Sequence, residues 1–434
     1  MKRATGFTLV GILLFVVVVP AAALYGDDKD HVRYEKYYRD PVLERMREEM
    51  DSLRAVCDSI TAEIDKIWKD KKKKEKDERE VIRFDFEGVK KPASPEVFDP
   101  PFHFKPVPQF YTGTCWSFCT TSFLESEVAR LTGRKIKLSE LHTVYWEFVE
   151  KARGYVQKRG NQVFEQGSES DAVILVWNKY GAVPLEAYTG LVEGNDKHNH
   201  KLMTDEMKKF LKFMGKLGCW DEEAIIAGIR RILVLHIARP PEKFEFEGVT
   251  VTPLQFIDEV LKIDTDDYVQ FMSTLKQPFY EMGEFEVTDN WRPTETYMNV
   301  PLDEFYKYIK SSAEKGYTVC IGGDVSEPGY YGFEDAAIVP SFDIPNKYID
   351  QDSREFRFFN GTTDDDHGVH LLAYKKVGGR DWFLIKDSAR SARHGDHWGY
   401  YFYRDDYIKL KMLTYMVHKD AVKDLLKKCK TTSD

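Results

Sequence analysis

The stretch QFYTGTCWSF, residues 109–118, is the place from which the rest of this 434-residue chain can be organised. A glycine-containing turn, Thr112-Gly113-Thr114, runs into an apolar helical pattern that starts at Trp116. Cys115 therefore stands at the N-terminus of a helix, where unpaired N–H groups and the helix dipole favour a thiolate over a thiol. Gln109, six positions earlier, can bring a side-chain amide to an oxyanion while the Cys115 backbone N–H supplies a second donor. An unpaired cysteine more often packs as a small hydrophobe. Its surroundings must therefore decide.

Outward from this turn, helical apolar spacing covers 116–131, 138–153 and 168–179, and the long middle, about 195–315, reads as mostly helical with a break at Arg239-Pro240-Pro241. Beyond Tyr317 the pattern becomes that of strands: TVCIGGDV (318–325), HLLAYKKV (370–377), DWFLIKDS (381–388) and GYYFYRDD (399–406). Gly378-Gly379 between two of these runs predicts a hairpin turn. Helices first and strands last predict an α+β fold with a cleft between the halves.

Gln-x5-Cys-Trp-Ser-Phe, here Gln109, Cys115, Trp116, Ser117 and Phe118, resembles the nucleophile segment of papain-like cysteine peptidases. DDHGVHLLAY (365–374) resembles their histidine segment, aligning His367 with the catalytic histidine, and FLIKDSAR (383–390) resembles the orienting segment, with Asp387 where the family has Asn. From Cys115 to His367 is 252 residues, a separation similar to that of the large-insert branch, the bleomycin hydrolases and aminopeptidase C enzymes. ELHTVYWEFVEKA (140–152), GSESDAVILVWNKYGAVPLEAY (167–188), ILVLHIARPPEKFEFE (232–247), VTPLQFIDEVL (251–261) and YTVCIGGDVS (317–326) resemble further segments of that branch, in order. The resemblance covers roughly 96–425. It implies a two-lobed fold enlarged by a helical insert, peptide substrates, no metal or organic cofactor, and four site residues: Cys115 as nucleophile, His367 as proton carrier, Asp387 as its orienter and Gln109 in the oxyanion hole.

Three departures qualify what the resemblance implies. Asp387 puts a carboxylate where the family has an amide, which favours a charged imidazole. Ala389 stands where a tryptophan usually shields the orienting contact, so a wetter and weaker pair is expected. The segment 419–434 shows no counterpart of the C-terminal arm that restricts bleomycin hydrolases to free N-termini, so both aminopeptidase and endopeptidase readings stand. A weakly active or inactive peptide-binding scaffold is the alternative from another class.

Composition agrees with an enzyme-sized core: 42% of residues are hydrophobic and 14% aromatic. A net charge of −9 provides no cationic field for nucleic acid, so no such partner is expected. Six cysteines are too few for a disulfide framework, and Cys57, Cys219, Cys320 and Cys429 have no regular spacing. Cys119, one turn beyond Cys115, and His370, three residues beyond His367, are expected in the core and outside the site. His394 and His397 read as loop or cleft rim.

Residues 1–23 have a basic start at Lys2 and Arg3, an apolar run and an Ala21-Ala22-Ala23 end, the pattern of a secretory signal cleaved after Ala23. A secreted or periplasmic protein without stable membrane association is expected, with a retained anchor as the competing reading. Residues 24–95 read as an extension: Leu43, Met46, Met50, Leu53, Cys57, Ile60, Ile64 and Ile67 repeat at spacings of 3 and 4, the seam of a coiled coil or of a helix lying on the body. A homo-oligomer through helix 43–67 is one consequence. The charge run 69–80 is expected to end this helix as a solvated linker, and the proline-rich 90–109 to lie extended on a surface. The peptidase domain is expected over 96–434.

Overall fold

The computed structural model describes residues 32–292 and 294–429. The expected signal segment lies outside them. Two compact units divide the chain at Val81/Ile82.

The first unit holds one long helix, α1 (Pro41–Asp77). Asp40 caps it by accepting from the Val42 N–H at 2.8 Å, and Pro41 opens it with a preset φ. Contrary to expectation, the helix does not end at the charge run but continues to Asp77. Lysine and glutamate are good helix formers, Lys71–Glu75 and Lys74–Glu78 pair one turn apart, and basic residues suit the C-terminal end of the dipole. No residue of α1 is buried, and the whole apolar seam from Leu43 to Ile67 is exposed.

The second unit begins at Ile82, earlier than the expected 96, because the segment before the prolines packs. Phe84 donates its N–H to Pro328, and Phe86 joins Phe98, Trp382, Leu384 and Phe402 in a buried cluster. As expected, 90–109 is otherwise almost without regular structure. The helical part follows: α2 (Cys115–Thr132), α3 (Glu140–Gln157), α4 (Ser170–Tyr180), α5 (Lys201–Lys216) and α6 (Glu222–Ile237). Gly133 ends α2 with φ +72, the left-handed conformation glycine adopts without strain, and Ser139 caps α3 through the His142 N–H. After the Arg239-Pro240-Pro241 break come the hairpin β1 (Phe244–Phe246) and β2 (Val249–Val251), then α7 (Pro253–Gln255), which widens into a π turn over Phe256–Leu261.

The middle then departs from the helical expectation. β3 (Tyr268–Met272), β4 (Met282–Gly283) and β5 (Tyr297–Asn299) enter the main sheet before α8 (Leu302–Glu314). Next come β6 (Val319–Gly323), β7 (Tyr330–Tyr331), β8 (Ala336–Ala337), α9 (Gln351–Phe359), β9 (His367–Val377), β10 (Arg380–Lys386), β11 (Tyr400–Arg404), α10 (Asp405–Lys411), β12 (Met412–His418) and α11 (Lys423–Leu426). The ten strands from β3 onward form one sheet in the order β4-β5-β3-β12-β6-β9-β10-β11-β8-β7. Gly378 and Gly379 both have positive φ, as the tight β9–β10 turn requires. One core lies among the helices, from Trp116 to Ile237, and another packs α8 and α10 against the sheet through Phe305, Ile309, Tyr407 and Ile408.

Candidate active site

α2 and β9 touch where the sequence places the nucleophile and the histidine. A Cβ on Gly368 would come within 2.7 Å of Cys119 Sγ and 3.6 Å of Trp116 Cα, so only a residue without a side chain lets the strand approach the start of the helix this closely. That approach sets His367, the first residue of β9, beside Cys115, the first residue of α2.

His367 is buried and Cys115 partly exposed. The imidazole Nε2 lies 2.7 Å from Asp387 Oδ1, and Cys115 is the other polar group that acts on the ring. Burial alone would lower the His367 pKa, but Asp387 and Cys115 outweigh it and hold the imidazole well above its usual range. Asp387 is likewise penalised by burial, yet its pKa is held down by His367, by the Ala389 N–H at 2.8 Å and by the Tyr330 hydroxyl at 3.1 Å.

The expected wet contact is not what forms. The Asp387 side chain is 0% exposed although Ala389 supplies no bulk. Tyr330 supplies it: its ring stacks on Tyr401 at 4.6 Å, with Tyr403 and Tyr407 next to it, and its hydroxyl also meets Ser391 Oγ at 3.1 Å. Fifty-seven residues separate Tyr330 from Asp387, and no local motif announces the contact.

Gln109 sits on the same side. Its Oε1 accepts from Ser388 Oγ at 2.7 Å, its backbone N–H donates to Ser388 O at 3.1 Å, and Nε2 donates one hydrogen to Thr112 O at 2.7 Å. The second Nε2 hydrogen and the Cys115 N–H, which has no partner within the helix, are the donors left for an oxyanion. Ser388, adjacent to Asp387, thus ties the orienting segment to the nucleophile turn.

Two further segments hold that turn. Gln166 accepts from the Gly113 N–H at 2.8 Å through its side chain and from Trp116 Nε1 at 3.1 Å through its carbonyl. Tyr111 N–H donates to His198 O, and the His200 N–H returns to Tyr111 O, each at 3.2 Å. Phe110, between Gln109 and Tyr111, has φ 54, a conformation that aromatic residues rarely adopt and that this pairing maintains.

The residues expected elsewhere are elsewhere. His370 Nδ1 meets Ser122 Oγ at 2.9 Å, and Ser122 also accepts from the buried ammonium of Lys386 at 2.7 Å. Cys119 Sγ lies 3.5 Å from Cys320 Sγ, both buried. His394 stacks on Phe333, and His397 contacts the Ala93 carbonyl. Ser388, Tyr330 and Lys386 are the polar residues of this neighbourhood that sequence reasoning did not find.

Residues 161–430 match the family model described as Peptidase C1-like family. His367 and Asp387 fall within the match, whereas Gln109 and Cys115 precede it and are joined to the site by the contacts above. Aminopeptidase C of Listeria monocytogenes is 24% identical over 260 residues, 50% of this chain and 58% of that protein, so the chain spans little more than half the length of this relative. Aminopeptidase C of Lactobacillus helveticus is 20% identical over 370 residues, 75% of this chain and 81% of that one. The crystal structure of PepW from Lactobacillus rhamnosis HN001 aligns with a TM-score of 0.61 at 18% identity, covering 77% of this chain and 86% of the other. The shared fold is the two-lobed α+β fold expected from the sequence.

Proposed function

We propose that this chain, which belongs to the Peptidase C1-like family, is a cysteine peptidase that cleaves peptide bonds through an acyl-enzyme on Cys115. The observation that carries the reading is the Cys115–His367–Asp387 line, in which a buried carboxylate holds a buried imidazole beside the partly exposed cysteine. Thiolate attacks the peptide carbonyl, and the carbonyl oxygen becomes an oxyanion facing the Cys115 N–H and Gln109 Nε2. His367 gives its Nδ1 proton to the leaving amine as the C–N bond breaks. In the second half it takes a proton from water, which displaces sulfur and releases the acid. Asp387 stays ionised and fixes the ring.

Two similar proteins bear the name aminopeptidase C, which supports removal of residues from free N-termini. The test compares fluorophore release from a free peptide amide and its N-acetylated form, with Cys115→Ala as control. Hydrolysis of the free form alone is expected. Equal rates replace the aminopeptidase by an endopeptidase, and no Cys115-dependent release from either removes the peptidase reading in favour of a binding scaffold.

The partner of α1 in this reading is a second copy of itself. Its seam is apolar over four heptads and exposed, and a lone helix of this kind is marginal in water. In a parallel pair Glu49 of one helix would face Arg54 of the other across the seam. Export with cleavage after Ala23 is part of the same proposal and rests on residues 1–23 alone. N-terminal sequencing of the protein recovered outside the cytoplasm checks it, and an intact N-terminus contradicts it.

A further inference from the structure

Two thiols that the mechanism leaves unused lie against each other beneath the nucleophile. Cys119 is on α2, one helical turn beyond Cys115, and Cys320 is on β6. Their sulfurs are 3.5 Å apart although 201 positions separate them in sequence. Both side chains are buried, and neither is bonded to another cysteine.

Packing fixes where the two sulfurs point. Cys119 donates its S–H to Trp116 O at 3.3 Å, and its sulfur lies against Gly368, where a Cβ would come within 2.7 Å. Cys320 Sγ meets Ser170 Oγ at 3.2 Å and Thr120 Oγ1 at 3.4 Å, so it is held from α4 and α2 as well as by its own strand. In the β6–β9 pairing Cys320 stands opposite His370, on the strand that carries His367 at its start. The fold has thus already closed the long loop between the two cysteines, and the sulfurs need only move from 3.5 Å to the roughly 2.0 Å of a disulfide.

The surroundings also divide the pair chemically. Burial raises the pKa of both thiols. At Cys119 the neighbouring Cys320 adds to burial and holds the thiol well above its usual range, whereas at Cys320 the hydrogen bonds with Cys119, Ser170 and Thr120 outweigh burial and lower it. Cys320 is the member that ionises first, and the thiolate is the form that attacks a disulfide.

We propose that Cys119 and Cys320 are a redox pair that closes into a disulfide joining α2 to β6, with a small-molecule disulfide of the glutathione type as oxidant. During folding or a local opening the Cys119 thiolate attacks one sulfur of the oxidant and expels one small thiolate, leaving a mixed disulfide. As α2 meets β6, the Cys320 thiolate attacks the Cys119 sulfur and expels the second. Two S–H bonds and the small S–S bond are lost, one protein S–S bond is gained, and the two small thiolates carry off the two protons. The bond staples the helical side to the sheet at the junction that sets Cys115 beside His367. It depends on neither the peptidase reading nor export.

Full-length Cys115→Ser protein serves for the test, because Cys115 and Cys119 fall in one tryptic peptide. Folded chain and chain held in denaturant are each brought to equilibrium with the same glutathione redox buffer, blocked with N-ethylmaleimide, digested without reduction and read by mass spectrometry. The Cys119 and Cys320 peptides are expected joined, lighter than their sum by the two hydrogens lost, and at least about tenfold more often in the folded chain than in denaturant. The joined chain should melt at least about 5 °C above the same chain after reduction, and Cys320→Ala should show neither the join nor the difference. No join, a join as frequent in denaturant, pairing of either cysteine with a different one, or a melting point that reduction does not lower overturns the proposal. None of these readouts involves turnover, so a failed peptidase reading and a failed redox pair give different results.

Discussion

In the proposed mechanism the chemistry turns on Asp387, which puts a charge where the family resemblance led one to expect an amide. An imidazole beside a buried carboxylate keeps its proton to higher pH, until pH rises through the raised His367 pKa. Asp387→Asn removes that charge while keeping an oxygen for His367 and Ala389, and its new N–H2 can donate to Tyr330, whose hydroxyl is free to accept. The variant should fold and lose less than about tenfold in kcat/KM at neutral pH, with the alkaline limb of its pH–rate profile moved to lower pH. An unmoved limb contradicts the account.

Tyr330→Phe tests the shield on that carboxylate. A buried Asp387 left with one donor fewer should cost about 1–2 kcal/mol of stability in denaturant titrations at neutral pH. The sign follows from linkage: a carboxyl group whose folded pKa is depressed stabilises the fold above its unfolded pKa, near 4, and loses that contribution as pH falls through its folded pKa. The deficit of Tyr330→Phe should therefore shrink at acid pH. At this scale the meeting of Cys115, His367, Asp387 and Gln109 was legible because each lies in a short motif of distinctive residue types. Tyr330 and Ser388 were not, because their roles depend on strand pairing across the sheet or on a loop that meets it.

Among the elements, the contact of α2 with β9 matters most, and Gly368 permits it. Gly368→Ala should push the strand off the helix start, costing about 1–3 kcal/mol in stability and, by displacing His367 from Cys115, at least tenfold in kcat/KM. Normal activity in this variant would show that the close approach does not set the geometry. The helices α2, α3 and α4 were readable to within four residues at each end because their apolar spacing is regular and capped or glycine-terminated. β3, β4 and β5 were not, being two to five residues long and stabilised by partners distant in sequence. For α1, Leu53→Glu places charge in the middle of the seam, and light scattering should show the wild type as an oligomer and the variant as a monomer. A monomeric wild type contradicts the pairing.

Across the whole molecule, the division at Val81/Ile82 and the main sheet make opposite forecasts about deletion. A chain starting at Ile82 keeps both cores and should melt within a few degrees of the full chain. Removing 195–315 should abolish folding, since β3 lies between β5 and β12 and α8 packs on the sheet. The insert is thus part of the sheet lobe as well as a cover for the nucleophile turn, which its helical appearance in sequence concealed. The central claim is that Cys115 is a nucleophile made reactive by His367, and the most direct measurement is its rate of alkylation by an epoxide-type thiol-protease inhibitor. Mass spectrometry should place the adduct on Cys115, formed at least about a hundredfold faster in the wild type than in His367→Ala. Equal rates in the two proteins, or modification at another cysteine, would contradict the account.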